Sequence, residues 1–135
     1  NELHINLLDL EKKRLSQDLF FKDSLDEISS LSFSPDNKKV AVVYGDSHQV
    51  IVWDIGSKLP LYEEIEGHSN ITWGFDSQTL ITAGYNFRLL VYDLSSSKSQ
   101  VKLRGYPVRA SNFYISRDGK SVFSAGRGIS HWNLE

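Results

Sequence analysis

Cysteine and methionine are both missing from these 135 residues, and proline occurs only three times. Without cysteine there is no disulfide framework and no thiolate metal site. A reducing, intracellular compartment is the mild inference, because secreted domains of this size often lean on disulfides. No apolar run approaches the ~18 residues of a membrane span, and none has the shape of a signal peptide. Neither sign of charge dominates: 15 Lys and Arg against 17 Asp and Glu leave a formal net charge of −2. The chain therefore has no bulk electrostatic pull toward nucleic acid or membranes. Position 1 is Asn1, not Met, so the expectation is a fragment, a processed product or the ordered part of something longer.

Hydrophobic residues at 40% and charged residues at 24% belong to an ordinary soluble globular chain. The order within that composition is more telling. Four alternating apolar runs end in an aromatic or leucine followed by Asp or Asn: Leu8-Asp9, Trp53-Asp54, Tyr92-Asp93 and Trp132-Asn133. Their second residues follow one another at 45, 39 and 40 residues. A period of about 40 residues, each containing several short strands, is the signature of propeller blades.

Turn chemistry supports that phase. Ser34-Pro35-Asp36-Asn37 closes the apolar strand of Ile28, Leu31 and Phe33; Pro presets φ, while Asp and Asn bond their own backbone or tolerate the left-handed region. Lys39–Tyr44 is nearly continuous in apolar character, as expected for a strand covered on both faces. Gln49–Asp54 follows, and Pro60 suits the start of an edge strand through Ile65. The same order recurs with strands at Ile71–Phe75, Thr79–Ala83, Arg88–Asp93 and Gln100–Leu103. A last series reads Val108–Ile115, a turn at Ser116–Lys120, then Ser121–Ser124 and Ile129–Leu134. Near the start, Leu3, Ile5 and Leu7 alternate like a strand, whereas Leu8, Leu15 and Leu19 also fit one helix face. Phase favours strands, with Arg14–Phe21 as the outer one.

These residues resemble the WD-repeat family of β-propellers, over essentially the whole chain. Gly67-His68 precedes the strand set ending in Tyr92-Asp93, Trp53-Asp54 is the family's dipeptide, and Ser32-Phe33-Ser34-Pro35-Asp36 is its usual first-turn phrase. The resemblance implies an all-β fold of four-stranded antiparallel blades, about three and a quarter of them. Residues 1–22 end one blade, 27–66 and 69–104 form two more, and 108–135 form a last blade without its outer strand. The ring would be incomplete alone, and completed by more of the same protein or by another chain. The first is favoured, with this chain as the C-terminal blades. The family's hydrogen-bonded tetrad of His, Asp, Ser or Thr, and Trp would fall on His68, Asn86 and Tyr92. Asn86 stands where Asp is usual, and Asp26-Glu27 and Tyr106-Pro107 replace Gly-His at the other junctions, so the blades should rest mainly on apolar packing. Trp53, Asp54, Tyr92, Asp93 and Trp132 are the remaining structural positions.

Candidate chemistry is sparse. His4, His48, His68 and His131 are not at metal-ligand spacing, no Gly-x-Ser-x-Gly elbow occurs, and Gly126-Arg127-Gly128 is too short for a phosphate loop. No catalytic residue, metal or cofactor is expected, and the chain is read as not an enzyme. In the family, loops entering the inner strand and those between second and third strands share a docking face. On this chain those loops carry Tyr85, Phe87, Arg88, Arg104, Tyr106, Arg109 and Arg127. Aromatics mixed with Arg are enriched in interface hot spots, and Arg makes bidentate contacts to carboxylate or phosphate. The expectation is a protein-interaction scaffold whose partner offers an acidic or phosphorylated segment. The plainer reading is solvated Arg with Tyr packed between blades. Nucleic acid is disfavoured by the charge balance, and a membrane role by the single Arg of Leu103-Arg104-Gly105. The competing function is an accessory or sensor propeller attached to an enzyme or NTPase domain.

Overall fold

A computed structural model describes residues 3–21, 27–45, 47–66, 70–83, 89–96, 99–103, 112–125 and 128–134. Every regular element among them is a strand: β1 (Leu3–Asp9), β2 (Arg14–Phe21), β3 (Ile28–Phe33), β4 (Lys39–Tyr44), β5 (Gln49–Asp54), β6 (Pro60–Glu66), β7 (Ile71–Trp73), β8 (Thr79–Ala83), β9 (Leu89–Asp93), β10 (Ser99–Leu103), β11 (Asn112–Ile115), β12 (Ser121–Ala125) and β13 (Ile129–Asn133). They form four antiparallel sheets in sequence order: β1-β2, β3-β4-β5-β6, β7-β8-β9-β10 and β11-β12-β13. The two complete sheets are four-stranded, with the shape of propeller blades, and no helix occurs among the described residues.

The ambiguity at the start resolves into strands, because Leu3 pairs with Phe21 and Asp9 with Arg14 across one ladder. The helical spacing of Leu8, Leu15 and Leu19 is a coincidence of that ladder: Leu8 lies opposite Leu15 and Leu19 opposite Ile5. Asp9 caps the connecting turn, its carboxylate accepting from the amides of Glu11 and Lys12. One strand is shorter than its apolar pattern suggests. β7 ends at Trp73, not Phe75, because Gly74 N–H already donates across the turn to the Thr79 carbonyl at 2.8 Å.

Three turns have one geometry. Ser34, Gly74 and Ser116 each donate N–H to the carbonyl five residues on, and each accepts from the amide three residues on. The third-following residue is left-handed every time: Asn37 (φ 57°), Ser77 (φ 57°) and Gly119 (φ 74°). Asp36, Asp76 and Asp118 each take the amide two residues ahead. The repeat thus extends from sequence period to individual bonds.

Apolar alternation places a core between each pair of neighbouring sheets. Val40, Val42, Tyr44 and Trp53 pack with Ile5 of the first sheet. From the opposite face of the same strands, Ala41, Val43, Val50 and Val52 pack with Trp73, Leu80 and Leu94 of the third sheet. Ile81 and Leu89 then meet Phe113 and Val122 of the fourth. β4 is a continuous apolar run for this reason, since both of its faces are covered. The aromatic of each dipeptide follows a rule: Trp53, Tyr92 and Trp132 all turn toward the preceding sheet.

Among the described residues, flanks of the second and fourth sheets stay open. Leu31 and Phe33, opposite Val42 and Val40 in the ladder, are exposed. On the fourth sheet Tyr114, Phe123 and His131 line up across three strands, and Tyr114 (63%), Phe123 (40%) and Ile129 (83%) are exposed. Phe123, His131 and Ile129 stand where Ile81, Val91 and Leu89 are covered one repeat earlier.

Candidate docking ends of the blades

Each sheet has two ends, and the chain's chemistry divides between them. One end carries the connections 84–88, 104–111 and 126–127, anchored on the paired residues Ala83 and Leu89, Leu103, and Asn112 with Ala125 and Ile129. Asn70 donates through Nδ2 to Asn112 Oδ1 at 3.4 Å, so the starts of β7 and β11 lie together at that end. The expected docking residues Tyr85, Phe87, Arg88, Arg104, Tyr106, Arg109 and Arg127 all fall outside the described residues, as do His68 and Asn86.

The described structural positions have clear roles. Trp53 is buried among Val40, Val42 and Tyr44. Trp132 and Tyr92 are half-buried at the same register in their own sheets. Asp54 and Asp93 close the turns after the dipeptides: Asp54 Oδ1 accepts from Ser57 N–H at 2.7 Å, and Asp93 Oδ1 from Ser95 N–H at 2.9 Å. Thr82 is fully buried in β8.

The opposite end bears the aligned turns and a row of ionised aspartates. The Ser34 hydroxyl and the Lys38 amide hold the Asp36 carboxyl below its usual range. The Ser116 hydroxyl and the Lys120 amide do the same for Asp118. Ser57 lowers Asp54, and Ser95 lowers Asp93. At Asp76 partial burial pushes upward, but the amides of Thr79 and Gln78 and the Thr79 hydroxyl outweigh it, so the net direction is down. Each is a carboxylate fixed by local donors, the third way in which a protein shifts a pKa. The arrangement caps turns and presents no nucleophile–base pair.

Side-chain bonds cross between the second and third sheets at three levels. Near the inner strands, Trp73 Nε1–H donates to the Ser32 carbonyl at 3.0 Å. At the turns, the Asp36 amide donates to Ser77 Oγ at 3.0 Å, and Lys39 Nζ donates to the Ser77 carbonyl at 3.0 Å. On the outer side the Tyr62 hydroxyl donates to the Leu94 carbonyl. The sequence period did not announce these bonds, although the first aligned turn contains the Asp36 and Lys39 donors.

The described histidines are placed in other roles. His131 stacks on Phe123 with ring centroids 4.7 Å apart and bonds through Nε2 to Ser121 Oγ at 3.0 Å. His48 takes a left-handed turn conformation, φ 55°. Among the described residues no group of three or more His, Cys, Asp or Glu is placed to hold a metal ion, and no helix is long and apolar enough to cross a membrane.

Comparison with known proteins agrees with this architecture. Residues 17–54, from the outer strand of the first sheet through β5, match the sequence model of the WD domain, G-beta repeat. WD repeat-containing protein 43 of Homo sapiens is 34% identical over 73 residues, covering 51% of this chain and 11% of that protein. A chain in the crystal structure of the mitotic checkpoint complex superposes with a TM-score of 0.80 at 19% identity, covering 98% of this chain and 41% of that one. The crystal structure of the RRP9 WD40 repeats gives 0.71 at 19% identity, covering 84% and 37%. This chain therefore spans about two fifths of those solved chains and about a tenth of the curated relative. With a matched WD repeat at residues 17–54, one dipeptide-aromatic rule and four successive blade sheets, the chain folds as a run of β-propeller blades similar to those of WD-repeat proteins.

Proposed function

We propose that the chain is part of a propeller that serves as a protein–protein interaction scaffold, intracellular and non-enzymatic. The single observation that supports it is rigidity without chemistry. Sheets locked by buried cores and cross-sheet bonds hold two loop-bearing ends in fixed positions, while the described residues assemble no catalytic pair. The loops springing from Ala83, Leu103 and Ala125 carry Tyr85, Phe87, Arg88, Arg104, Tyr106, Arg109 and Arg127, an aromatic–basic set suited to an acidic or phosphorylated segment of a partner. The open flanks of the second and fourth sheets are the surfaces that the rest of the propeller covers. An isolated apolar face of this kind is costly in water, and the solved neighbours are more than twice as long.

The test is a pull-down with the full-length protein carrying Arg104→Glu and Arg127→Glu. Captured partners should be lost while the thermal midpoint is kept. Undiminished capture would refute the docking assignment. Binding of single-stranded oligonucleotides that weakens steeply with salt would instead favour nucleic acid.

A further inference from the structure

Among the described residues, the junction between the third and fourth sheets replaces the three side-chain donors of the preceding junction, and the Ser77 hydroxyl acceptor, with residues that cannot play those parts. In the aligned repeats Thr79 stands where Lys39 does, Gly119 where Ser77 does, Ile115 where Trp73 does and Val101 where Tyr62 does. At the turns the consequence is a gap. A cleft of about 160 Å³ opens between them, lined by Gly74, Phe75, Asp76, Thr79, Arg117 and Gly119 among others. At the preceding junction this space belongs to the Lys39 ammonium, which lies 3.0 Å from the Ser77 carbonyl and 3.9 Å from Asp36 Oδ2.

We propose that this cleft is a binding site for a lysine side chain presented by a partner protein, seated as Lys39 is seated one repeat earlier. The acceptors are retained although the cation is gone. Gly119 supplies the carbonyl that matches that of Ser77, and among the described residues nothing donates to it. Asp76 supplies the carboxylate that matches Asp36. Thr79 is too short to cross the gap and instead donates its hydroxyl to Asp76 Oδ2 at 2.7 Å. Gly119 adds no side chain, and even a Cβ there would meet nothing within 4 Å, so the entrance is open. Asp76 and Asp118 line the cleft with one guanidinium, Arg117, which leaves the lining net negative and suited to a cation. Phe75, 59% exposed, gives the lysine methylenes an apolar wall, as long cationic side chains require. This site lies at the end of the sheets away from Ala83, Leu103 and Ala125, and it is independent of the docking proposal above.

The experiment titrates N-acetyl-lysine methylamide into ¹⁵N-labelled full-length protein, with the norleucine analogue as an uncharged control. The expected result is a saturable shift confined to the amides of Gly74, Asp76, Thr79 and Gly119, in the millimolar range and absent with norleucine. Thr79→Lys, which supplies the missing ammonium from within, should weaken the lysine probe at least tenfold while leaving the thermal midpoint unchanged or higher. Asp76→Asn should weaken it severalfold, and it provides a second reading should Thr79→Lys fold poorly. Equal shifts with norleucine, no shift with either probe, or a Thr79→Lys protein that binds as the parent does would each overturn the proposal.

Discussion

Replacing Trp73 by Phe removes two things at once from the junction between the second and third sheets. The indole N–H that donates to the Ser32 carbonyl at 3.0 Å disappears, at about 1 kcal/mol for a bond of this kind. The phenyl ring also lacks the outer part of the indole. Trp73 is 7% exposed and packs in the cluster of Ala41, Val43, Val50, Val52, Leu80 and Leu94, so those missing ring atoms leave buried contacts unmade. At roughly 0.8 kcal/mol per buried methylene-sized group, two such groups come to about 1.6 kcal/mol. The expected total is about 2.5 kcal/mol, read as a shift in the urea midpoint of the full-length protein at constant m-value. Because a propeller need not unfold in one step, hydrogen exchange of the β3 and β7 amides supplies the local reading. An isosteric benzothienyl side chain at position 73 keeps the bulk and loses only the donor, so it should cost about 1 kcal/mol by the same bond estimate. A Phe variant costing less than ~0.5 kcal/mol, below the value of the hydrogen bond alone, would refute the view that this indole joins the two sheets.

Leu80→Ala, at a fully buried side chain, should cost roughly 2–5 kcal/mol by differential scanning calorimetry, the range for core leucines. Gly119→Ala should cost about 1 kcal/mol through its φ of 74° alone, since a Cβ there has open space. Gly119→Asn should cost less, because Asn37 already takes that conformation in the first turn; equal melting points for the two variants would contradict the strain argument. Acid should destabilise the protein in a defined direction. Five aspartates have native values lowered from an ordinary value of 3.8, so the unfolded chain binds more protons. Their contribution is complete above that ordinary value and is lost as pH falls through the lower native values. Urea midpoints that rise as pH drops below about 4 would reverse the sign and disprove it.

Much of the fold was legible because it is written in two periods. The beat of Asp9, Asp54, Asp93 and Asn133 gave the blades, and alternation within β4 and β5 gave their doubly covered faces. Ser34-Pro35-Asp36-Asn37 and Ser116-Arg117-Asp118-Gly119 gave the turns. Legibility fell where a residue's partner lies in another sheet. That Lys39 reaches Ser77, or Trp73 reaches Ser32, depends on how neighbouring blades are phased, which no single strand encodes. The opening segment was ambiguous because Leu8, Leu15 and Leu19 satisfy a helical spacing, and only pairing across its turn decides between the two. Tyr85, Phe87, Arg88, Arg104, Tyr106, Arg109 and Arg127 were expected on loops from residue type and phase, and they lie outside the described residues. Whether such groups converge depends on loop backbone paths that periodicity does not specify.

The loss of three side-chain donors and one hydroxyl acceptor from one junction to the next has a mechanical corollary. A chain stretched between its second and fourth sheets would part first along the line where Thr79 meets Gly119. There, dispersion among Ile81, Phe113 and Val122 resists the load without the rivets that Lys39, Trp73 and Tyr62 supply next door. A blade that detaches ahead of its neighbours is a natural hinge, and the weak line lies at the cleft proposed to admit a lysine.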